Sequence, residues 1–196
     1  MIKIAITGGI GSGKSYVSSI FESLNIPIYN ADVNSKKIVS SNFELKSKLI
    51  EILGEDCYIN GELNRKKLAN FIFSSDENRL LINSIIHPYV LKDFLKWSEE
   101  HSQYDIVGME SAILFESGFN KYVDKVVMVY APLEIRINRT MSRDNSTREE
   151  VLARISAQMD DEQKRALSHY IINNGGDNEL LPQINGIINK LLIDFR

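Results

Sequence analysis

The sequence predicts an α/β protein built on an open parallel sheet, with helices on both faces and a helical insertion. The stretches from Asp105 to Met109 and from Lys125 to Tyr130 are apolar runs, as expected for strands buried on both faces of a parallel sheet. Near the N-terminus, a strand candidate stops at a glycine-rich loop that is followed by helical spacing. Along the chain the elements follow in the order β, α, β, helical insertion, β, α, β, α, β, α.

The N-terminal part is predicted to form a strand, a helix, a second strand and then the insertion. Ile2 to Ile6 is a short β-branched run, and Ile26 to Tyr29 is the second strand candidate. Apolar residues recur between them at helical spacing: Val17, Ile20, Phe21 and Leu24. From Val33 to about His101 the spacing is mostly helical, with turn signals at Asn60-Gly61 and at residues 74–76, so about three helices are expected.

The C-terminal part continues the alternation of strands and helices. Pro132 begins a basic helix, and residues 146–167 form a charged stretch with helical spacing. Tyr170 to Ile172 is a last short strand, and Leu180 to Leu192 is a closing amphipathic helix. Because no repeat and no Gly/Ser- or Pro-rich linker divides the 196 residues, we expect one domain, 1–196, with an excursion.

Composition excludes several classes of function. The net charge of -3 argues against a general nucleic-acid binder, since such proteins usually carry a basic excess. No stretch approaches the ~20 apolar residues of a membrane span, so no membrane association is expected. A single cysteine, Cys57, and the lack of a signal-peptide pattern favour a cytoplasmic location. The oligomeric state stays open.

A phosphate-binding loop is the strongest motif in the chain. Gly8, Gly13, Lys14 and Ser15 fit G-x-x-x-x-G-K-[ST] between a predicted strand and a predicted helix, which is the context that this motif needs. In such loops backbone N–H groups surround the phosphates of a nucleoside triphosphate, the lysine reaches the outer phosphates, and the serine hydroxyl binds Mg²⁺. The residues expected to bind the nucleotide here are Gly9, Gly11, Ser12, Gly13, Lys14 and Ser15, with Ser15 as the metal ligand.

Two other classes of nucleotide-binding protein are excluded, because their motif residues do not stand at the required positions. A dinucleotide fingerprint that starts at Gly9 would require a third glycine where the chain has Lys14. The D-x-x-G of a GTPase is present at residues 105–108 but lies inside a predicted strand, so its aspartate would point away from the nucleotide. The segment at residues 120–124 is one residue too long for the guanine-reading N-K-x-D.

Carboxylates follow two of the predicted strands. Asp32 comes just after the second strand, and Glu110 ends the third. Ligands of open α/β sheets bind beyond the carboxyl ends of the strands, so both side chains are expected near the phosphate loop. A carboxylate there accepts a proton from a hydroxyl nucleophile or holds Mg²⁺ and its waters. The alternatives are a helix N-cap for Asp32 and a merely polar strand end for Glu110.

Three arginines follow the fourth strand on one predicted helical face. Arg136, Arg139 and Arg143 are spaced i, i+3, i+7, where like charges repel unless an anion lies between them. A transferring phosphoryl group is such an anion, and the charged helical stretch that follows is suited to a closing lid. The alternative is a solvated surface helix.

Eight segments, in order and spread over most of the chain, resemble the dephospho-CoA kinase family: IAITGGIGSGKS, NADVNSKKIV, LNRKKLANFIF, IIHPYV, ILFESG, RINRTMSRD, AQM and IINNGG. The resemblance implies a P-loop kinase fold with a five-stranded parallel sheet flanked by helices. It further implies a helical acceptor-binding subdomain at about residues 33–101 and a mobile lid at about residues 139–167. The implied reaction is phosphorylation of the ribose 3'-hydroxyl of dephospho-CoA by ATP with Mg²⁺, giving CoA and ADP in the last step of that pathway.

The resemblance also implies catalytic roles. Asp32 matches the family aspartate that is expected to act as catalytic base on the 3'-hydroxyl, and Lys14 is the lysine of the phosphate loop. Asn30 stands where the family has another aspartate, which weakens any assignment of metal binding to position 30. Arg139 and Arg143 match the arginines that lead into the lid.

Further positions match the family's binding residues. On the acceptor side these are Leu63, Arg65 and His87, and near the adenine they are Asn173 and Gly175. Asp32 and Glu110, which follow or end their strands, are also expected to bind the acceptor. The chain departs from the family pattern at Glu110, where aspartate is commoner. It departs also at Ala112, where proline is usual, and at His169, where aspartate is usual.

Two alternative functions stay open. Within the same fold, the chain could be another small-molecule or nucleotide kinase, since the phosphate loop and the arginines do not identify the acceptor. It could also be a catalytically silent nucleotide-binding regulator. The combination of Lys14, Ser15, Asp32 and the arginines speaks against a regulator, because a mere binder needs neither a base nor a lid.

Overall fold

The computed structural model describes residues 1–176 and 178–195. The chain divides into two compact units. We call Met1–Asn30 with Ser98–Arg196 the sheet unit, and Ala31–Trp97 the helical unit. The predicted insertion at about residues 33–101 falls mostly in the helical unit, and its role in acceptor binding stays a prediction.

The described residues form seven strands and nine α-helices. The strands are β1 (Ile2–Thr7), β2 (Ile28–Asn30), β3 (Tyr58–Ile59), β4 (Glu62–Leu63), β5 (Ile106–Glu110), β6 (Lys125–Tyr130) and β7 (Tyr170–Asn173). The α-helices are α1 (Lys14–Ser23), α2 (Ala31–Ser41), α3 (Phe43–Leu53), α4 (Arg65–Ser74), α5 (Asp76–Glu100), α6 (Leu133–Asp144), α7 (Arg148–Ser156), α8 (Asp161–Ala166) and α9 (Leu180–Asp194).

The sheet unit contains a five-stranded sheet in the order β2-β5-β1-β6-β7. Each neighbouring pair runs parallel, as predicted. β1 lies at the centre, with Ile2 opposite Ile106 and Ile4 opposite Lys125 in the neighbouring strands. Because the strands are parallel, their carboxyl ends meet at one edge, and the glycine-rich loop leaves the end of β1 at that edge.

The core of the sheet unit lies between the central strands and two helices. Alternate residues of β1 are buried against the apolar sides of α1 and α9. Val17 and Phe21 contribute from α1, and Ile184 and Leu191 contribute from α9. These side chains recur at helical spacing in both helices, which is why the sequence predicted amphipathic helices there.

Four of the five sheet strands have bounds that differ from the prediction by one or two residues, since the first and last strands each extend one residue further, to Thr7 and Asn173. The second strand begins at Ile28 rather than Ile26, because the Ile26 N–H donates to the Phe21 carbonyl at 3.1 Å, closing the end of α1. The third sheet strand, β5, begins after Asp105 and includes Glu110, which lies opposite Ile6. Asp105 therefore lies at the amino end of β5, on the side of the sheet away from the glycine-rich loop.

The charged stretch at residues 146–167 is two helices rather than one. The first, α7, starts with a capping box in which Thr147 and Glu150 exchange side-chain-to-backbone hydrogen bonds. Asp160 then caps α8, because its carboxylate accepts from Glu162 N–H at 2.8 Å and from Gln163 N–H at 3.3 Å. A capping aspartate placed here ends one helix and begins the next.

The helical unit consists of α2 to α5 with a small antiparallel hairpin of β3 and β4. The predicted turn at Asn60-Gly61 forms this hairpin, with φ angles of 52° and 84° that suit a two-residue turn. Four helices stand where about three were expected, because Asn42 accepts from Leu45 N–H at 2.9 Å and starts α3 separately. Among the described helices, each is too short or too polar to cross a lipid bilayer.

Candidate active site

The glycine-rich loop joins β1 to α1 and is held on several sides. At Gly13, φ is 92°, a left-handed value that favours glycine. A Cβ atom at Gly13 would lie 2.2 Å from Nδ2 of Asn174, so only glycine permits this approach. Asn174 uses the space to donate from Nδ2 to the Ser12 carbonyl at 2.8 Å. The loop therefore has a fixed path at the start of α1.

The side chain of Lys14 lies along the glycine-rich loop, which precedes it in the sequence. Its Nζ donates to the Gly8 carbonyl at 2.9 Å and to the Gly9 carbonyl at 3.2 Å, and the residue is 9% exposed. The cation is therefore held over the loop, where loop N–H groups and the N-terminus of α1 also favour an anion. This is the position that the motif requires of a lysine that reaches phosphate.

Ser15 and Glu110 meet at the strand edge. Ser15 Oγ donates to Glu110 Oε1 at 2.7 Å, and Asn30 Nδ2 donates to Glu110 Oε2 at 3.1 Å. Glu110 is 5% exposed, so its carboxylate is buried with a hydroxyl and an amide as donors. The alternative of a merely polar strand end does not describe it, because both oxygens have partners from separate elements.

The pair formed by Ser15 and Glu110 fits Mg²⁺. Mg²⁺ takes oxygen ligands, keeps several waters, and is typically held by one or two protein groups together with substrate phosphates. A serine hydroxyl and a carboxylate 2.7 Å apart, beside a phosphate loop, supply that donor set. Asn30 supplies an amide that donates to Glu110, so the residue at position 30 orients the carboxylate.

The contacts of Arg136 differ from the predicted ones, which were with a phosphoryl group. It is 2% exposed, its Nε donates to the Ile10 carbonyl at 2.9 Å, and its guanidinium pairs with the carboxylate of Asp161. A Cβ atom at Gly9 would lie 2.1 Å from the guanidinium, so the glycine makes room for the arginine. Arg136 thus binds the backbone of the loop and the start of α8.

Arg139 and Arg143 have separate partners. Arg139 donates to the Asn174 carbonyl at 3.1 Å, beside the start of α1. The side chain of Arg143 is 63% exposed and forms two hydrogen bonds with Asp144, at 2.7 and 3.1 Å. The pKa of Asp144 is lowered to about 2, mainly by the hydrogen bonds from Arg143 and to a smaller extent by the one from Arg154. Their predicted roles toward a phosphoryl group stay predictions.

The residues expected near the adenine lie at the end of β7 and just after it. The Asn173 backbone is held by Gln183, which accepts from its N–H at 2.8 Å and donates to its carbonyl at 3.1 Å. Gly175 lies close to the ring of Pro132. The residue between them, Asn174, makes the contact with the glycine-rich loop, and the sequence interpretation missed it although it named both neighbours.

Lys164 is a second residue that the sequence did not single out. It is fully buried, and its Nζ donates to the Ala112 carbonyl at 3.1 Å and lies 3.3 Å from Glu116 Oε1. Burial is the main cause that lowers the pKa of Lys164. The segment after β5 is therefore tied to α8, and Ala112, which replaces a usual proline, contributes through its carbonyl.

The remaining predicted residues lie in the helical unit. Asp32 is exposed in the first turn of α2, which begins at Ala31, so Asp32 does not occupy the N-cap position. Leu63 ends β4 and is half-buried, and Arg65 is exposed at the start of α4. His87 is half-buried in α5, and this burial lowers its pKa. Of the five expected acceptor residues, only Glu110 belongs to the sheet unit.

Comparison with known proteins identifies the family of this chain. The family model described as dephospho-CoA kinase matches residues 2–179. A dephospho-CoA kinase of Bacteroides fragilis is 46% identical over 187 residues, which cover 95% of this chain and 91% of that protein. The crystal structure of TT1252 from Thermus thermophilus superposes with a TM-score of 0.82 at 34% identity, covering 97% of each chain. Dephospho-CoA kinase from Campylobacter jejuni has a TM-score of 0.67 at 25% identity, covering 97% of this chain and 95% of that one. The chain belongs to the dephospho-CoA kinase family.

Proposed function

We propose that this protein transfers the γ-phosphoryl group of ATP to the 3'-hydroxyl of the ribose of dephospho-CoA, giving CoA and ADP. Membership of the family supports the choice of acceptor. The main structural support for this reaction is the arrangement at the carboxyl edge of the sheet. Lys14 lies over the glycine-rich loop there, and Ser15 Oγ donates to the buried Glu110 carboxylate at 2.7 Å. A triphosphate with its cation needs these groups together.

On the donor side, the loop holds the phosphates. Backbone N–H groups of the loop and the N-terminus of α1 face the β- and γ-phosphates, apart from the Ile10 N–H, which donates to Gln158. Lys14 leaves the loop carbonyls to bind phosphate oxygens. The predicted adenine contacts, Asn173 and Gly175, lie at the end of β7 and just after it, in the same unit. Support for this arrangement comes from Asn174, which joins the loop to that segment through Ser12.

Ser15 and Glu110 would hold Mg²⁺ together with phosphate oxygens. The bound cation would neutralise charge on the phosphates. Asn30 keeps Glu110 oriented through its amide. Glu110, expected from its strand-end position to bind the acceptor or Mg²⁺, is therefore better supported as a metal ligand.

On the acceptor side, Asp32 accepts the proton of the 3'-hydroxyl as the hydroxyl oxygen bonds to the γ-phosphorus. The bond from that phosphorus to the bridging oxygen of ADP breaks, and ADP leaves with the electron pair. Leu63, Arg65 and His87 bind dephospho-CoA. Arg139 and Arg143 stabilise the negative charge on the transferred group, which is the main requirement of phosphoryl transfer.

An acceptor panel tests this proposal. ADP release from ATP with Mg²⁺ is measured with dephospho-CoA, adenosine, nucleoside monophosphates or no acceptor. We expect kcat/KM for dephospho-CoA to exceed that for every other acceptor by roughly 10³-fold or more, because a site with positioned polar contacts rejects acceptors that leave them unpaired. ADP release that favours a nucleoside monophosphate would assign the chain to another small-molecule kinase class. Nucleotide binding without ADP release for any acceptor would assign it a regulatory role.

A further inference from the structure

Gln158 contacts the glycine-rich loop from a distant part of the chain. It lies between α7 and α8, is half-buried, and its Oε1 accepts a hydrogen bond from the Ile10 N–H at 3.0 Å. Ile10 lies at the middle of the loop. The contact therefore joins the predicted lid segment to the backbone that faces the phosphates.

The second polar group of Ile10 is held from the same segment. Its carbonyl accepts from Arg136 Nε at 2.9 Å, and the Arg136 guanidinium pairs with Asp161 at the start of α8. Gln158 and Asp161 lie on the same short connection into α8. This connection thus fixes both the N–H and the C=O of Ile10, one directly and one through a buried arginine.

The connection is itself anchored on the other side. Met159 N–H donates to Glu116 Oε1 at 2.7 Å, and Lys164 Nζ lies 3.3 Å from the same oxygen. Lys164 is fully buried and also donates to Ala112. Hydrogen bonds with a charged partner are stronger than neutral ones, so the backbone beside Gln158 has a defined position.

We propose that Gln158 is a positioning residue for the phosphate donor. Its side-chain oxygen fixes the Ile10 peptide, and the following N–H groups of the loop are thereby arranged for the triphosphate before it binds. Loops of this kind hold phosphate with successive backbone N–H groups, so rotation of one peptide misaligns its neighbours. The inference rests on the proposed ATP-dependent function and adds a residue that controls donor affinity.

Gln158→Met tests the proposal, because methionine keeps the length of the side chain and removes the acceptor oxygen. The dissociation constant of Mg-ADP is measured by calorimetry in the absence of any acceptor. We expect this dissociation constant to rise roughly 3- to 10-fold, which is the loss of affinity that corresponds to one neutral hydrogen bond. We expect the KM for dephospho-CoA to change less than about twofold, since the acceptor does not use this contact. Because the binding measurement needs no acceptor, its result does not depend on which acceptor the protein phosphorylates.

Gln163→Met is the matched control, since Gln163 carries the same side chain in an exposed position on α8. The control should bind Mg-ADP like the wild type. Gln158→Ala is a second variant without the acceptor oxygen, measured in the same way. Unchanged nucleotide affinity in the Gln158 variants, or equal weakening in Gln163→Met, would overturn the proposal.

Amide hydrogen exchange gives a readout that is independent of nucleotide. In Gln158→Met, exchange at Ile10 N–H should accelerate roughly tenfold, while Val17 N–H, which donates to the Gly13 carbonyl at 3.0 Å, should stay protected. Gln158→Glu retains an acceptor oxygen and should restore protection at Ile10. Equal exchange at Ile10 in wild type and Gln158→Met would contradict the assigned contact.

Discussion

At the scale of single residues, the candidate site depends on pairs of contacting residues. The sequence predicted only some of the members of these pairs. Lys14, Ser15 and Glu110 were predicted because a loop motif and a strand end are local patterns. Asn174 and Gln158 were missed because their partners, Ser12 and Ile10, lie 162 and 148 positions away along the chain. Nothing in local spacing indicates such a contact; only the tertiary fold brings these side chains to the loop.

For Asp32, we expect the Asp32→Asn variant to lose roughly 10²- to 10⁴-fold in turnover, because the amide does not accept the proton of the hydroxyl nucleophile. ATP affinity should be largely kept. Steady-state kinetics with dephospho-CoA and nucleotide binding by calorimetry check both parts. Asp93→Asn, an exposed aspartate of α5, is the matched control. Near-normal turnover in Asp32→Asn would reassign Asp32 to a structural role in the first turn of α2.

For Glu110, we expect the Glu110→Gln variant to need a higher Mg²⁺ concentration for half-maximal rate, by roughly tenfold, because a neutral amide is a weaker ligand for a hard cation than a carboxylate. Saturating Mg²⁺ should recover much of the rate. A Mg²⁺ titration of initial rates measures this, with Glu62→Gln, an exposed residue of β4, as control. An unchanged Mg²⁺ requirement in Glu110→Gln would remove Glu110 from the metal site.

At the scale of elements, the strands and their order follow the sequence prediction more closely than the charged helices do. β6 has the predicted bounds, since a continuous apolar run is a strong signal for a buried parallel strand. The helical prediction at residues 146–167 was wrong about continuity, because Asp160 caps α8 with its side chain. A capping aspartate is hard to recognise in a stretch that is already rich in charge.

His169, to which the sequence interpretation assigned no role, begins the pairing of β7 with β6. Its N–H donates to the Val126 carbonyl at 2.9 Å, and its Nδ1 accepts from the Val126 N–H at 3.1 Å. Nδ1 must therefore be unprotonated for the second bond to form. Burial, followed by the charge of Lys125, lowers the pKa of His169.

The lowered pKa of His169 gives a pH dependence with a definite sign. Below pH 6.5, the ordinary pKa of histidine, the unfolded chain binds the proton before the folded chain does. Stability is therefore present above that pH and falls as the pH decreases toward the folded pKa. Urea midpoints at pH 7.5 and 5.5 should therefore differ more for wild type than for His169→Asn, which does not titrate. His87, whose pKa is also lowered by burial, remains in both proteins and acts as an internal control. Identical pH dependence of the two proteins would contradict the assigned hydrogen bond.

At the scale of the whole molecule, the residues proposed for the phosphate donor and most of those proposed for the acceptor lie in different units. The glycine-rich loop, the metal pair and the arginines of α6 lie in the sheet unit, whereas Asp32, Leu63, Arg65 and His87 lie in the helical unit. The parallel sheet was predictable from strand runs and element order. The hairpin and the four helices of the helical unit were only partly predictable, because short helices with mixed faces have weak periodicity.

Cys57 reports on the helical unit. It is fully buried, and burial is the main cause that raises the pKa of its thiol. We expect a thiol reagent to label the native protein slower than the urea-unfolded chain by roughly 10³-fold or more, since reaction requires opening of the unit and a thiolate. Labelling rates against urea concentration measure the stability of this unit. Labelling of the native protein at the unfolded rate would contradict the packing described for Cys57.

The central claim is tested most directly by the product of a single turnover. Excess protein is mixed with ATP, Mg²⁺ and dephospho-CoA, and the product is identified by mass spectrometry, with the phosphorylated position assigned by ³¹P NMR. The proposal predicts one CoA and one ADP for each dephospho-CoA consumed, with the new phosphate on the ribose 3'-oxygen. Unchanged dephospho-CoA, or a phosphate at another hydroxyl, would contradict it.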